Sequence, residues 1–323
     1  MEGSAAALAG WTPVSLSLAQ GELAIEWGDL RGVRFSEPFL HQTVEHWAAR
    51  DPAPLVRTGR DALEALDREP SLDPALIIFH VSRCGSTLLS RLLGELRGVL
   101  VISEPAPVNS LLLANEFATP DALRHLVRAL GRKRFGDERH YVLKLSSWNV
   151  THAERVRQAF PAAKILWLQR APQAVVASML ADPPGWMKLR RDAAAVRALF
   201  GLEAGAADDE SFAVAAVAVL LRAAQKLVAD LVLDYADLPA AAWEKVATLA
   251  GLAPGADDIA RMARVACFDA KDAAERLFAA AAPEARRLPP DLAAKVAETL
   301  EPLYASLALP GASGRDLRPT PRL

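Results

Sequence analysis

Short apolar runs alternate with longer alanine-rich stretches from about residue 75 to residue 251, and this alternation limits the folds open to the chain. The runs are continuous, as expected for strands that are covered on both faces. Strands that alternate with helices are typical of βαβ units around a parallel sheet. The sequence therefore predicts an α/β fold in which helices flank a central parallel sheet. The predicted strands are LIIFHVS (76–82), VLVIS (99–103), YVLKLS (141–146), KILWLQ (164–169) and LVLDY (231–235).

Helices are predicted between these strands. We expect one over 86–97, one over 172–181 with Pro172 in its first turn, and a long one over 210–230. Thr151 and Glu154 have the spacing of a capping box, which predicts a further helix ending near residue 160.

The chain of 323 residues is long enough for two domains of about 150 residues or for one enlarged α/β domain. Residues 1–70 differ from the rest, with a predicted strand (21–28) and a predicted helix (38–50), and we interpret them as a small N-terminal extension. The main domain is expected over 71–309, with a helical C-terminal part from about residue 254. Residues 310–323 are rich in Pro and Gly and are expected to be a mobile tail.

Composition excludes several classes of function. Lys and Arg number 37 against 39 Asp and Glu, a formal net charge of −2, so no overall field attracts nucleic acid. The longest apolar run, 212–221, is half the length of about 20 residues that a membrane span needs. No basic residue precedes Arg31, so no signal peptide is expected and the predicted location is the cytoplasm. Cys84 and Cys267 have no metal-site or disulfide spacing.

A short polar turn, Ser82 to Thr87, connects the first predicted strand of the main domain to its helix. Consecutive amides in such a turn, with the positive end of the helix, can bind an anion. Gly85 permits close backbone approach, and Ser86 and Thr87 add hydroxyl groups. The nucleotide-triphosphate motif is not met, because Gly85 stands where that motif needs lysine, and the local cation is instead Arg83. The alternative is an ordinary strand–helix turn with small polar residues.

The run Arg-x-Gly-Ser-Thr-Leu-Leu that starts at Arg83 resembles the 5′-phosphosulfate loop of sulfotransferases that use 3′-phosphoadenosine 5′-phosphosulfate (PAPS). The resemblance implies the P-loop NTPase-like sulfotransferase fold. It also implies that Arg83 touches the bridging oxygen and the sulfonate of PAPS. Cys84 occupies a position where Ser or Gly is more usual. The residues that the resemblance assigns to the donor are Arg83, Cys84, Gly85, Ser86, Thr87 and Leu88.

A second anion site is predicted at Arg170 and Ser178, eight residues apart after the strand KILWLQ. The segment 160–180 resembles the 3′-phosphate segment of the same family, which implies that both side chains hold that phosphate. The alternatives are that Arg170 forms a salt bridge and that Ser178 is a small helix-packing residue.

Two further segments follow in family order. Residues 231–252 resemble the family's YxDL segment and the helix after it, so Tyr235 and Asp237 are expected to be structural. Lys271 lies where the family has a basic loop over the nucleotide, which makes it a candidate 3′-phosphate ligand, although the familiar Arg-Lys-Gly pattern is absent. The alternative is a surface lysine.

Sulfonyl transfer needs a base for the acceptor proton and cations for the departing phosphate. Glu104 follows the second strand of the main domain, and strand carboxyl ends line the ligand crevice of a parallel sheet. A glutamate in that position serves as general base in several sulfotransferase groups. Lys144, also near a strand end, steadies the sulfonate or simply neutralises Glu104. The competing bases are the histidines, each of which also fits a structural role: His80, His125, His140 and His152.

The resemblance implies an enzyme that moves a sulfonate from PAPS to a hydroxyl or amine by in-line displacement, with 3′,5′-ADP leaving and no metal required. One alternative is an ATP- and Mg²⁺-dependent kinase on a related fold, and the other is a non-catalytic protein that binds 3′,5′-ADP. The acceptor, a small molecule or a peptide, cannot be identified from the sequence. A homodimer and the role of the N-terminal extension also stay open.

Overall fold

The computed structural model describes residues 8–50, 53–203, 208–268, 270 and 287–308. The expected tail over 310–323 and the candidate ligand Lys271 lie outside the described residues.

The N-terminal part contains a small antiparallel sheet in the order β1-β2-β3 and two helices. The predicted strand and helix are present, and the strand β1 was not foreseen. The elements are β1 (Thr12–Ala19), β2 (Glu22–Gly28), α1 (Leu40–Arg50), β3 (Val56–Thr58) and α2 (Asp61–Leu66).

A five-stranded parallel sheet forms the centre of the molecule, in the order β5-β6-β4-β7-β8. All four of its strand pairs are parallel, as predicted. Its strands are β4 (Pro74–His80), β5 (Val99–Ser103), β6 (His140–Lys144), β7 (Lys164–Gln169) and β8 (Leu231–Asp234).

Helices flank this sheet and continue through the C-terminal part, so the predicted fold class is confirmed. They are α3 (Ser86–Gly94), α4 (Ala106–Leu113), α5 (Pro120–Leu130), α6 (Ala153–Ala159), α7 (Pro172–Ala181), α8 (Ala193–Phe200), α9 (Asp209–Gln225), α10 (Ala247–Leu249), α11 (Ala256–Val265), α12 (Pro290–Thr299) and α13 (Glu301–Ala308). None of the described helices is long and apolar enough to cross a membrane.

The core explains the continuous apolar runs. Ile77 and Phe79 of β4 and Ile165 and Trp167 of β7 are at most 1% exposed, because these two strands lie in the middle of the sheet with helices on both faces. The apolar first half of α9 is buried in the same core, as its composition predicts.

The predicted capping box of Thr151 and Glu154 is wrong. The helical turn begins before Thr151, in a 3₁₀-helix over Ser147–His152 whose capping box is formed by Ser146 and Asn149. The Thr151 hydroxyl donates instead to the carbonyl oxygen of Trp148, at 2.8 Å. Two predicted helices are also shorter than expected, since α3 ends at Gly94 and α9 at Gln225.

A buried arginine between α5 and β6 contacts the N-terminal part. Arg132 is 3% exposed and donates to the carbonyl oxygens of Leu8, at 3.2 Å, and Trp11, at 2.7 Å. Strand β1 packs on α4 and α5. Side chains of both parts join one hydrophobic cluster, and a domain boundary at residue 70 stays a prediction.

Candidate active site

The turn between β4 and α3 has the backbone that a phosphate loop needs. Arg83 (φ 59°) and Gly85 (φ 83°) both lie in the left-handed region. A Cβ on Gly85 would lie 2.6 Å from the Tyr235 ring, so only glycine fits there. Among the described residues, no side chain caps the start of α3, whose first amides remain available to an anion.

The residues at the start of α3 are packed into this site. Ser86 and Thr87 are buried, and Leu88 is half-buried. The Thr87 hydroxyl lies 3.5 Å from the ammonium of Lys144. Burial raises the pKa of the Cys84 thiol to about 12, so this thiol is neutral at physiological pH and contributes its backbone rather than a nucleophile.

The predicted 3′-phosphate segment, which contains Arg170 and Ser178, contacts the turn that contains Arg83. Arg83 Nε donates to the Ser178 hydroxyl at 3.1 Å, and Arg170 Nη1 donates to the carbonyl oxygen of Arg83 at 3.2 Å. The Arg170 guanidinium also lies 4.4 Å from the centre of the Tyr235 ring. Since β4 and β7 are neighbours in the sheet, their carboxyl ends bring these two segments together.

Asp182, which the sequence analysis did not single out, also contacts Arg83. Its carboxylate lies 2.6 Å from Arg83 Nη2 and is 64% exposed. The Arg83 side chain therefore lies along α7, beside Ser178, and its contact with a sulfonate stays a prediction. Asp182 follows Ser178 by four residues, but nothing in the sequence indicated that it faces the loop.

Glu104 and Lys144 form an ion pair at the carboxyl ends of β5 and β6. Lys144 is fully buried, its Nζ lies 2.6 Å from Glu104 Oε1, and the Ser146 hydroxyl lies 3.4 Å from the other carboxylate oxygen. Burial works to raise the pKa of Glu104, but the charges of Lys144 and His80 and the hydrogen bonds from Lys144 and Ser146 together outweigh it and hold that pKa below its usual value. The carboxylate is thus ionised at neutral pH and, being 27% exposed, within reach of solvent.

His80 is the histidine nearest to Glu104, with Nε2 at 3.9 Å from Oε1. Both ring nitrogens already face carbonyl oxygens at 3.0 Å, those of Val81 and Leu145. Burial, followed by the charge of Lys144, lowers its pKa to about 4. A buried ring that is occupied on both sides is a poor base for an incoming acceptor.

The other candidate histidines lie in structural surroundings. His152 packs edge-on against Trp148, and burial lowers its pKa to about 4. His125 lies 3.7 Å from Asp67, and His140 is the first residue of β6. The assignment of Glu104 rather than a histidine as the base stays a prediction.

Phe39 is a site residue that the sequence analysis missed. Its ring centre lies 4.8 Å from Lys144 Nζ, so the N-terminal part reaches the Glu104 pair directly. No local pattern identifies this contact, because Phe39 precedes Lys144 by more than a hundred residues.

No protein-family model matches the chain, and no curated protein matches it. Among solved structures, a sulfotransferase from Alicyclobacillus acidocaldarius is similar, with 14% identity, coverage of 73% of this chain and 94% of that one, and a TM-score of 0.44. A sulfotransferase from Mycobacterium avium has 15% identity, coverage of 81% and 83%, and a TM-score of 0.43. The sulfotransferase domain of the Synechococcus PCC 7002 olefin synthase has 16% identity, coverage of 75% and 95%, and a TM-score of 0.37.

These similar structures are sulfotransferases, the family that the sequence motifs resemble.

Proposed function

We propose that this chain is a PAPS-dependent sulfotransferase. The observation that carries the proposal is the contact between the two proposed anion-binding segments. Arg83 donates to Ser178, 95 residues later in the chain, and Arg170 donates to the carbonyl oxygen of Arg83, 87 residues earlier. A single phosphate loop would suit many nucleotides. A second cationic segment next to it suits a nucleotide with phosphates at two positions.

The donor is held by both segments in this proposal. The amides of residues 83–88 and the start of α3 receive the 5′-phosphosulfate, as helix N-termini receive phosphates elsewhere. Arg170 and Ser178 receive the 3′-phosphate. Lys271 keeps its proposed role as a further 3′-phosphate ligand.

The chemical step is an in-line displacement at sulfur. The acceptor oxygen or nitrogen attacks the sulfur, its proton passes to the Glu104 carboxylate, and the bond from sulfur to the bridging oxygen breaks. The electron pair of that bond leaves with 3′,5′-ADP, whose charge Arg83 and Lys144 stabilise. The depressed pKa of Glu104 keeps it in the unprotonated form that a base needs.

Titration calorimetry with 3′,5′-ADP tests the donor site. We expect Arg170→Ala to weaken binding about 30-fold, since removal of a charge partner costs about 2 kcal/mol. Arg68→Gln is the matched control, because Arg68 is an exposed arginine outside both segments. The donor site is refuted if 3′,5′-ADP binds no more tightly than 5′-AMP, or if the Arg170 variant binds as the wild type does.

Transfer of labelled sulfonate tests the chemistry. Glu104→Gln is expected to bind 3′,5′-ADP normally and to lose about 10²–10⁴ in turnover, the range for loss of a general base. A variant with full turnover would exclude Glu104 as the base. Transfer of phosphate from ATP, abolished by EDTA, would support the kinase alternative, and a wild type that binds 3′,5′-ADP but modifies no acceptor would support a binding protein.

A further inference from the structure

Glu104 has an uncommon backbone conformation. Its φ of 47° lies in the left-handed region, which residues other than glycine rarely adopt. The Glu104 amide donates to the carbonyl oxygen of Lys144 at 2.7 Å, so the residue is tied to β6 directly after β5 ends. Strained backbone of this kind persists where the surrounding structure holds it, and it is frequent at functional sites. The surroundings of Glu104 therefore determine where its carboxylate points.

The two oxygens of the Glu104 carboxylate are held differently. Oε1 lies 2.6 Å from the Lys144 ammonium, and His80 Nε2 faces the same oxygen at 3.9 Å. Oε2 accepts from the Ser146 hydroxyl at 3.4 Å, which is long for a hydrogen bond between two oxygens. This contact uses one of the two lone pairs on Oε2 and leaves the other. Because Oε1 faces a buried cation, Oε2 is the oxygen better able to take up a proton.

Asn109 of α4 orients the Ser146 hydroxyl. Asn109 Nδ2 donates to Ser146 Oγ at 3.0 Å. A serine hydroxyl has one hydrogen, and that hydrogen cannot be directed at a group that is itself donating. The Ser146 hydrogen is therefore left for Glu104 Oε2. The Ser146 backbone is fixed as well, because its amide donates to Asn149 Oδ1 at 2.7 Å.

Packing alone does not explain an asparagine at position 109. Its neighbours on α4, Val108 and Leu111, are apolar and fully buried. Asn109 Oδ1 is also buried and has no hydrogen-bond partner among the described residues. A buried acceptor without a partner costs free energy, which an apolar side chain of similar shape would avoid. An asparagine at such a position indicates a function for the hydrogen bond that its Nδ2 donates.

We propose that Ser146 and Asn109 are positioning residues for the base. The Asn109 amide directs the Ser146 hydroxyl at Glu104, and this contact holds Oε2 where the acceptor proton arrives. A lone pair of the acceptor atom forms the bond to sulfur, the proton moves to Oε2, and the electron pair that bound the proton stays on the acceptor atom. Lys144 remains on Oε1. This inference rests on the proposed function, because Glu104 is a base only if an acceptor must lose a proton.

A pH titration of the Glu104 carboxyl tests the contact directly. The chain is labelled with ¹³C at its glutamate carboxyl groups and followed by NMR, and Glu104→Gln assigns the signal. Burial works to raise the pKa of Glu104, and the hydrogen bond from Ser146 is one of the contacts that lower it. Ser146→Ala and Asn109→Leu should therefore both move the titration to higher pH.

Ser110→Ala is the matched control, the same change at a half-buried residue of α4 outside the site, and it should leave the titration in place. In the part of the chain that the structure describes, the other charged or titratable groups that face Glu104 are Lys144 and His80, and these variants alter neither. A titration that is unchanged in Ser146→Ala or in Asn109→Leu overturns the proposal.

Transfer of labelled sulfonate gives the second readout. Ser146→Ala and Asn109→Leu should bind 3′,5′-ADP as the wild type does, keep the KM for the acceptor, and lose about fivefold in kcat, the scale of one hydrogen bond of ordinary strength. Ser146→Thr, which keeps a hydroxyl, should recover kcat. A loss that appears in KM with an unchanged kcat, or a threonine variant as slow as the alanine variant, would give Ser146 a merely structural role and overturn the proposal.

The two readouts separate this inference from the proposed function, because the titration needs neither donor nor turnover. If the wild type transfers sulfonate while the titration and kcat are the same in both variants, the function stands and only this inference fails. If the titration moves in both variants but the wild type transfers sulfonate to no acceptor, the proposed function fails, and the role of Ser146 and Asn109 in positioning a base fails with it.

Discussion

The Glu104–Lys144 pair makes a prediction that can be worked from its geometry. Lys144 is fully buried, and its ammonium lies 2.6 Å from the carboxylate. At an effective dielectric constant of about 20, this separation corresponds to an attraction of about 6 kcal/mol, much of which is offset by desolvation of the two charges. Lys144→Met removes the attraction and leaves the carboxylate without its cation.

We expect this variant to lose about 3 kcal/mol of unfolding free energy near pH 7, the lower end of the range for breaking a buried pair. The lower end applies because Glu104 is 27% exposed and Ser146 still contacts its carboxylate. Urea unfolding followed by circular dichroism measures this loss. The double variant Lys144→Met/Glu104→Gln should be more stable than the single variant, because it removes the unpaired charge as well.

The loss of unfolding free energy in Lys144→Met should also depend on pH. In the wild type, the pKa of Glu104 is lower in the folded state than in the unfolded state, where it is about 4.3. Its stabilising contribution is therefore present above the unfolded-state pKa and is lost as the pH falls through the folded-state pKa. Without Lys144, burial raises that pKa instead. The difference in stability between wild type and variant should therefore be largest above the raised pKa of the variant, and shrink as the pH falls from there toward the depressed pKa of the wild type. A difference that is constant across this range, or additive effects in the double variant, would refute the role of the pair.

Three further predictions concern the proposed phosphate loop and the two cysteines. Asp182→Asn removes a carboxylate that would compete with the donor for Arg83. Calorimetry should therefore show 3′,5′-ADP binding about twofold to fivefold more tightly, which is the scale of an exposed ion pair. Weaker binding would contradict the competition. Gly85→Ala should cost about 2 kcal/mol in urea unfolding, because a Cβ would lie 2.6 Å from the Tyr235 ring at a backbone φ of 83°; a stability equal to wild type would contradict this crowding. With a thiol reagent, the native chain should react at Cys267, which is exposed, while Cys84 reacts only after unfolding; fast modification of Cys84 in the native chain would contradict its burial.

The sequence predicted most of the central sheet, because the strands of a covered parallel sheet are continuous apolar runs that stand out locally. The turn 82–87 and the residues Arg170 and Ser178 were also singled out, since each lies within a short motif at a strand end, and their anion-binding roles stay predictions. Their mutual contact through Arg83 follows from the strand order, in which β4 lies next to β7.

Other features depend on contacts that no local pattern encodes. The position of Phe39 over Lys144 depends on how the N-terminal part packs on the sheet. The capping box at Thr151 failed because Ser146 and Asn149, five and two residues earlier, cap the turn before Thr151 can. Helix ends such as that of α9 at Gln225 are set by packing and not by composition.

The guanidinium of Arg132 has consequences for truncation of the chain. It is buried and uses the carbonyl oxygens of Leu8 and Trp11 as acceptors. A truncation that begins at residue 71 would remove both and leave a cation inside the protein without those acceptors. We therefore expect the N-terminal part to unfold together with the helices α4 and α5 on which it packs, and an active fragment that lacks it is not expected.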